Sequence, residues 1–160
     1  FTTGILMHQM DSQAIIDQIT KIIEHDKEAS WVLTTSRRTP EDFIQLLLDC
    51  IPFDNMTVVQ FEDTDQDWMM EQFSRAGQIW VTPDSVSMVY EALSSGAVTK
   101  VFFLAPTSKE SRVRNGLDNL IQNNSLQPFE LWQDDSMVQH SPCYFNEAAR
   151  IAHHILEQLL

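Results

Sequence analysis

Two stretches of the chain carry residues whose types and spacing could do chemistry. In the first, Ser36-Arg37-Arg38-Thr39-Pro40, two of only six arginines sit between an apolar run and an amphipathic one. Guanidinium forks beside the free N–H groups of a starting helix suit a diphosphate. The same arginines could instead pair with Glu41, Asp42 or the acidic run Glu62–Asp67, and the spacing leaves both readings open. In the second, Gln78–Gly96, an apolar run turns through Thr82-Pro83-Asp84-Ser85 directly into a helix. Thr82 or Asp84 is the expected N-cap, and the first turn then offers free N–H groups to a phosphate or a ribose. Asp84 argues the other way, because a first-turn carboxylate already complements the helix dipole and repels a phosphate. Glu91 lies one turn beyond Ser87 on the polar face, where it either accepts hydrogen bonds from ribose hydroxyls or meets solvent.

No further machinery is visible. The chain lacks GxGxxG, P-loop, GxSxG and CxxC patterns, so no catalytic residue is assigned and no cofactor is expected. His8, His25 and His140 are isolated, and His153-His154 has no third ligand at a useful spacing. The run Glu62–Asp67 lacks the glycine and closing glutamate of a calcium loop, so no metal site is expected. Cys50 falls on the apolar side of a helix and reads as a reduced core residue; Cys143 is distant from it.

The elements that must hold these residues follow from periodicity. Ile15, Ile19, Ile22 and Ile23 mark one face of a helix from Asp11 or Ser12 to about His25. Strands are expected at Trp31–Thr35, Met56–Phe61, Gln78–Thr82, Val98–Leu104 and Phe129–Trp132. Between them, Thr39 as N-cap with Pro40 at N1 opens a helix carrying Phe43, Leu47 and Cys50 inward. A short helix carries Trp68, Met69 and Phe73. The helix of the second stretch packs Val86, Val89, Tyr90 and Leu93 and stops at Gly96. Another, from Ser108 or Lys109, carries Val113, Leu117, Leu120 and Ile121 and ends at Asn123-Asn124-Ser125. A closing helix is expected from Asn146. Phe1–Met10 reads as a short strand or an irregular arm. Strands alternating with helices imply an α/β fold: a Rossmann-like, mostly parallel sheet with helices on both faces.

Composition bounds the function. The chain has 160 residues, enough for a single domain over residues 1–160 with its own core. A net charge of -13 disfavours nucleic acid and anionic membranes as partners. No run reaches membrane-spanning length and no signal peptide is visible, so a cytoplasmic location is expected.

Leu33-Thr34-Thr35-Ser36-Arg37-Arg38-Thr39-Pro40 and Val81–Leu93 together resemble the mitochondrial-fission, "elongated mitochondria" family, found in plants and widely in bacteria. The resemblance spans roughly residues 11–155. Family chains are about twice as long, and this chain starts at Phe1, so it is expected to be the carboxyl-terminal half of a two-domain protein whose amino-terminal domain is missing. The family is similar to GT-B-type glycosyltransferases, whose carboxyl-terminal domain holds a nucleotide-sugar donor. On that resemblance a nucleoside-diphosphate sugar is the expected substrate. Ser36, Arg37 and Arg38 would contact its phosphates, Ser85 and Ser87 would line the site, and Glu91 would meet the ribose. With Thr39, these residues are expected to line one cleft, the strands before Thr35 and before Pro83 flanking the topological switch point. Asp84 stands where many transferases keep a neutral turn, and Ala97-Val98 replaces the usual Gly/Lys-Pro. The plant relatives are implicated in recruiting a dynamin-type GTPase. The resemblance therefore also implies an alternative, a non-catalytic interaction module with a protein partner.

Overall fold

A computed structural model describes residues 3–4, 12–50, 54–103, 112–133 and 156–157. In chain order it contains β1 (Thr3–Gly4), α1 (Ser12–His25), β2 (Trp31–Thr34), α2 (Phe43–Cys50) and β3 (Met56–Val59). A 3₁₀ turn at Phe61–Asp63 leads to α3 (Gln66–Arg75), β4 (Gln78–Val81), α4 (Val86–Ser94) and β5 (Val98–Val101). Then come α5 (Arg112–Gln122), β6 (Gln127–Pro128) and α6 (Phe129–Gln133).

Among the described residues all the strand pairings are parallel, β1-β2-β3 in one ladder and β4-β5-β6 in the other. β1 lies beside β4, which brings the strands into the order β3-β2-β1-β4-β5-β6. This is the doubly wound order, in which the chain reverses direction across the sheet between β1 and β4. Thr3–Gly4 is thus a central strand rather than an arm.

Alternation along β4 assigns the two faces. Trp80 points into the core beneath α1 and α2, with Ile15, Ile19, Phe43, Leu47 and Phe102. Ile79 and Val81 point into the opposite core, with Val89 and Leu93 of α4, Leu117 and Leu120 of α5 and Phe73 of α3. In α1 the isoleucine spacing does what periodicity requires, and Ile15, Ile16, Ile19, Ile22 and Ile23 are all buried. In α4, Val89 and Leu93 are buried while Val86 and Tyr90 are half-buried. Two helix ends stop as expected. Gly96 follows α4 with φ 82, and Asn124 follows α5 with φ 59. Ser125 and Leu126 N–H both donate to the Leu120 carbonyl, at 2.9 and 3.1 Å.

Several boundaries differ from expectation. β2 and β4 stop before Thr35 and Thr82, β3 stops before Phe61, and β5 stops at Val101. Phe129–Trp132 is a helix, with the strand displaced to Gln127–Pro128. Pro128 cannot extend a ladder as a donor, and a two-residue period would put Phe129 and Trp132 on opposite faces. Helical spacing puts both rings against Trp80, with centroids at 6.0 and 5.3 Å. Cys50 is exposed rather than core, because the buried stripe of α2 closes at Leu47, before the helix itself ends. The closing helix from Asn146, the start at Ser108 or Lys109, and His8, His140, Cys143, His153 and His154 lie outside the described residues. Leu156 and Glu157 are helical.

One side chain ties α1 to the sheet. Gln18 is 6% exposed; its Nε2 donates to the Phe103 carbonyl at 3.0 Å, and its Oε1 accepts from the Phe103 N–H at 2.8 Å. The amide thus supplies the donor and acceptor that a neighbouring strand would give just past β5. Gln18→Leu preserves bulk but strands both Phe103 groups, so we expect a loss of about 1–3 kcal/mol in urea denaturation. Unchanged stability would show that Phe103 finds other partners.

Candidate functional site

Parallel strands deliver their following loops to one edge, and both stretches singled out above lie on it. After β2, Thr35 is buried and its hydroxyl accepts from the Phe61 N–H at 2.9 Å, fastening this loop to the end of β3. Ser36–Thr39 then closes on itself. The Ser36 N–H donates to Thr39 Oγ1 at 2.8 Å, and the Thr39 N–H donates to the Ser36 carbonyl at 3.0 Å. The Arg38 N–H donates to Ser36 Oγ at 3.2 Å. Thr39 is therefore the lock of a tight turn, not the N-cap of α2. That helix begins only at Phe43, whose N–H donates to the Pro40 carbonyl at 3.1 Å.

The locked turn presents both arginine side chains outward; Ser36 is buried and Thr39 half-buried. The Arg37 guanidinium carbon sits 5.0 Å from the centroid of Phe61, a cation–π contact that holds the fork against the end of β3. Among the described residues the one ion pair is Arg75–Glu71, at 3.2 Å. Neither Glu41, Asp42 nor the acidic run neutralises Arg37 or Arg38 there. In the sequence Phe61 reads only as a strand end; here it opens the 3₁₀ turn.

After β4, Thr82 is fully buried and Ser85 is 5% exposed. The Ser85 N–H donates to the Thr82 carbonyl at 3.1 Å, closing the turn. Ser85 is the N-cap, in place of Thr82 or Asp84, and its side chain makes no capping bond. The first-turn N–H groups of α4 have no intrahelical acceptor and face the same edge as the arginine turn. Thr82 Oγ1 and both Asp84 carboxylate oxygens are buried and have no hydrogen-bond partner among the described residues. Ser87 and Glu91 are exposed on α4.

The two turns are not immediate neighbours. β1 runs between β2 and β4, so β1 and β4 flank the switch point, in place of the strand before Thr35 that the resemblance implies. Two strand spacings separate the turns, about 10 Å. Arginine side chains are long enough to lean across part of that gap.

A titratable group that burial clearly displaces lies elsewhere. Lys100 interrupts the apolar run of β5, which was the signal in the sequence, and is 8% exposed. Its Nζ stands 5.3 Å from the Trp80 ring and 5.8 Å from the Trp132 ring. Burial pushes its ammonium down from 10.5 to about 8. The unfolded chain therefore holds this proton more tightly than the native one. We expect Lys100 to make stability rise with pH from about 8 toward 10.5. In melts across that window the wild type should gain stability relative to Lys100→Met as pH rises, and a difference between the two that does not change with pH would contradict this.

Among the described residues no three His, Cys, Asp or Glu side chains cluster as a metal-ligand set. No helix among them is long and apolar enough to cross a membrane. Strand order, parallel pairing and helices on both faces define a Rossmann-like α/β protein. The family model described as Mitochondrial fission ELM1 matches residues 6–159, and the chain belongs to that family. No curated protein matches it.

Proposed function

We propose that the chain binds a nucleoside diphosphate, carried as a nucleotide sugar, at the carboxyl edge of its sheet. In this reading it acts as the donor-binding domain of a glycosyltransferase-like protein of the GT-B type, with the acceptor site in a further, amino-terminal domain. One observation carries the reading: a self-locked turn at Ser36–Thr39 that holds out two guanidiniums with no carboxylate partner among the described residues. In a chain of net charge -13, arginines left unneutralised at the edge where doubly wound sheets bind ligands are best explained by an anionic ligand. Arg37 and Arg38 take the phosphates together with the free first-turn N–H groups of α4, and Ser85 and Ser87 line the site. Glu91, one turn further along α4, accepts from the ribose hydroxyls. Thr39 acts by keeping the turn closed, and Ser36 gives its hydroxyl to the same turn.

Calorimetry with UDP and GDP tests this. A charge-assisted hydrogen bond contributes about 1.5–3 kcal/mol, so Arg37→Ala should weaken binding about ten-fold or more. Glu91→Gln should weaken nucleoside diphosphates while sparing inorganic pyrophosphate. Equal affinity in wild type and Arg37→Ala would remove the phosphate role from the arginine pair. A wild type that binds neither nucleotide would favour the interaction-module alternative.

A further inference from the structure

We infer that Thr82 and Asp84 ligate a divalent cation, shared with the diphosphate, so that nucleotide binding at this edge is metal-dependent; the inference rests on the nucleotide reading above. Three oxygens on one four-residue turn, Thr82 Oγ1 and Asp84 Oδ1 and Oδ2, are buried and accept no hydrogen bond from the described residues. Thr82 is fully buried, so its hydroxyl has no recourse to solvent. Buried polar groups without partners are rare in native proteins, and an ion is one of the few things that accounts for them. A charged group left so is costlier still.

The ordinary explanations fail on this turn. A carboxylate at a helix start normally accepts a first-turn N–H, but Asp84 accepts none among the described residues. Arg37 and Arg38 do not serve it either. Their turn lies beyond β1, and Arg37 is drawn toward Phe61 at the end of β3. That leaves a negative charge beside the N–H groups to which the phosphates are assigned, and a diphosphate brought there would be repelled unless positive charge came with it. A hard dication meets both needs. Magnesium takes oxygen ligands only, and it is commonly held by one or two carboxylates with substrate phosphates completing its shell. Such a site requires no cluster of three protein ligands, in keeping with the donor set among the described residues.

The test is calorimetry of UDP with the full chain, in magnesium and in EDTA, for wild type, Asp84→Asn and Thr82→Val. Free UDP itself takes up magnesium, so the deciding quantity is the ratio of the two affinities, compared between variants. Wild type should bind at least ten-fold more tightly with metal. Asp84→Asn should bring that ratio close to one and, in EDTA, bind UDP more tightly than wild type because the repulsion is gone. Thr82→Val should lower the ratio part of the way. A wild-type ratio equal to that of Asp84→Asn overturns the cation while leaving nucleotide binding intact. No binding of UDP or GDP in either buffer overturns both. Should the variants fail to fold by circular dichroism, Mn²⁺ added with UDP to the wild type decides. Paramagnetic broadening of the Thr82–Ser85 amide signals is expected, and its absence there overturns the site.

Discussion

Parallel pairing obliges each crossover to come back over a face of the sheet and start the next strand from the same end. Everything of functional interest in this chain depends on that constraint. It gathers the Ser36–Thr39 turn and the Thr82–Ser85 turn at one edge although more than forty residues separate them in sequence. It also sends α1 and α2 to one face and α4 and α5 to the other, which opens the edge between β1 and β4. Trp80, fully buried, stands next to that divide. Phe102, Phe129 and Trp132 pack on it, so the strand leading into Thr82 is held by a cluster of rings.

The two turns use opposite means to stay in place. At Ser36–Thr39 short side chains consume their own hydrogen-bonding capacity to fix the backbone, leaving the long charged side chains outward. At Thr82–Ser85 the backbone is closed by one main-chain bond and the side-chain oxygens are left without donors. Positive groups without acids face the edge from one side, and an acid without a base lies buried on the other. The charge pattern makes best sense if something carrying both phosphate and metal sits between them.

Much of this was legible in the sequence. α1 follows from its isoleucines, and the starts of β2, β3, β4 and β5 follow from apolar runs that stand at the expected places. The arginine turn and the strand-to-helix turn were visible as residue types between such runs. What was not legible depended on tertiary contacts. A two-residue strand such as β1 has no periodicity, and only its neighbours β2 and β4 make it central. Phe129–Trp132 has the composition of a strand and is a helix because Trp80 offers both rings a surface. Thr39 followed by Pro40 has the form of a helix cap, yet the nearer Ser36 N–H claims the hydroxyl first. The family was recognisable from the same two motifs, and the match over residues 6–159 agrees with it.

The central claim is that a nucleoside diphosphate occupies the carboxyl edge between the two turns. An amide chemical-shift map of the isotopically labelled chain, titrated with UDP in magnesium, tests it most directly. The account predicts saturable shifts concentrated in Ser36–Thr39 and in Thr82 through Glu91, with α3 and the amino ends of the strands unmoved. Saturable shifts confined to some other face of the molecule, or none at all at millimolar UDP, would contradict it.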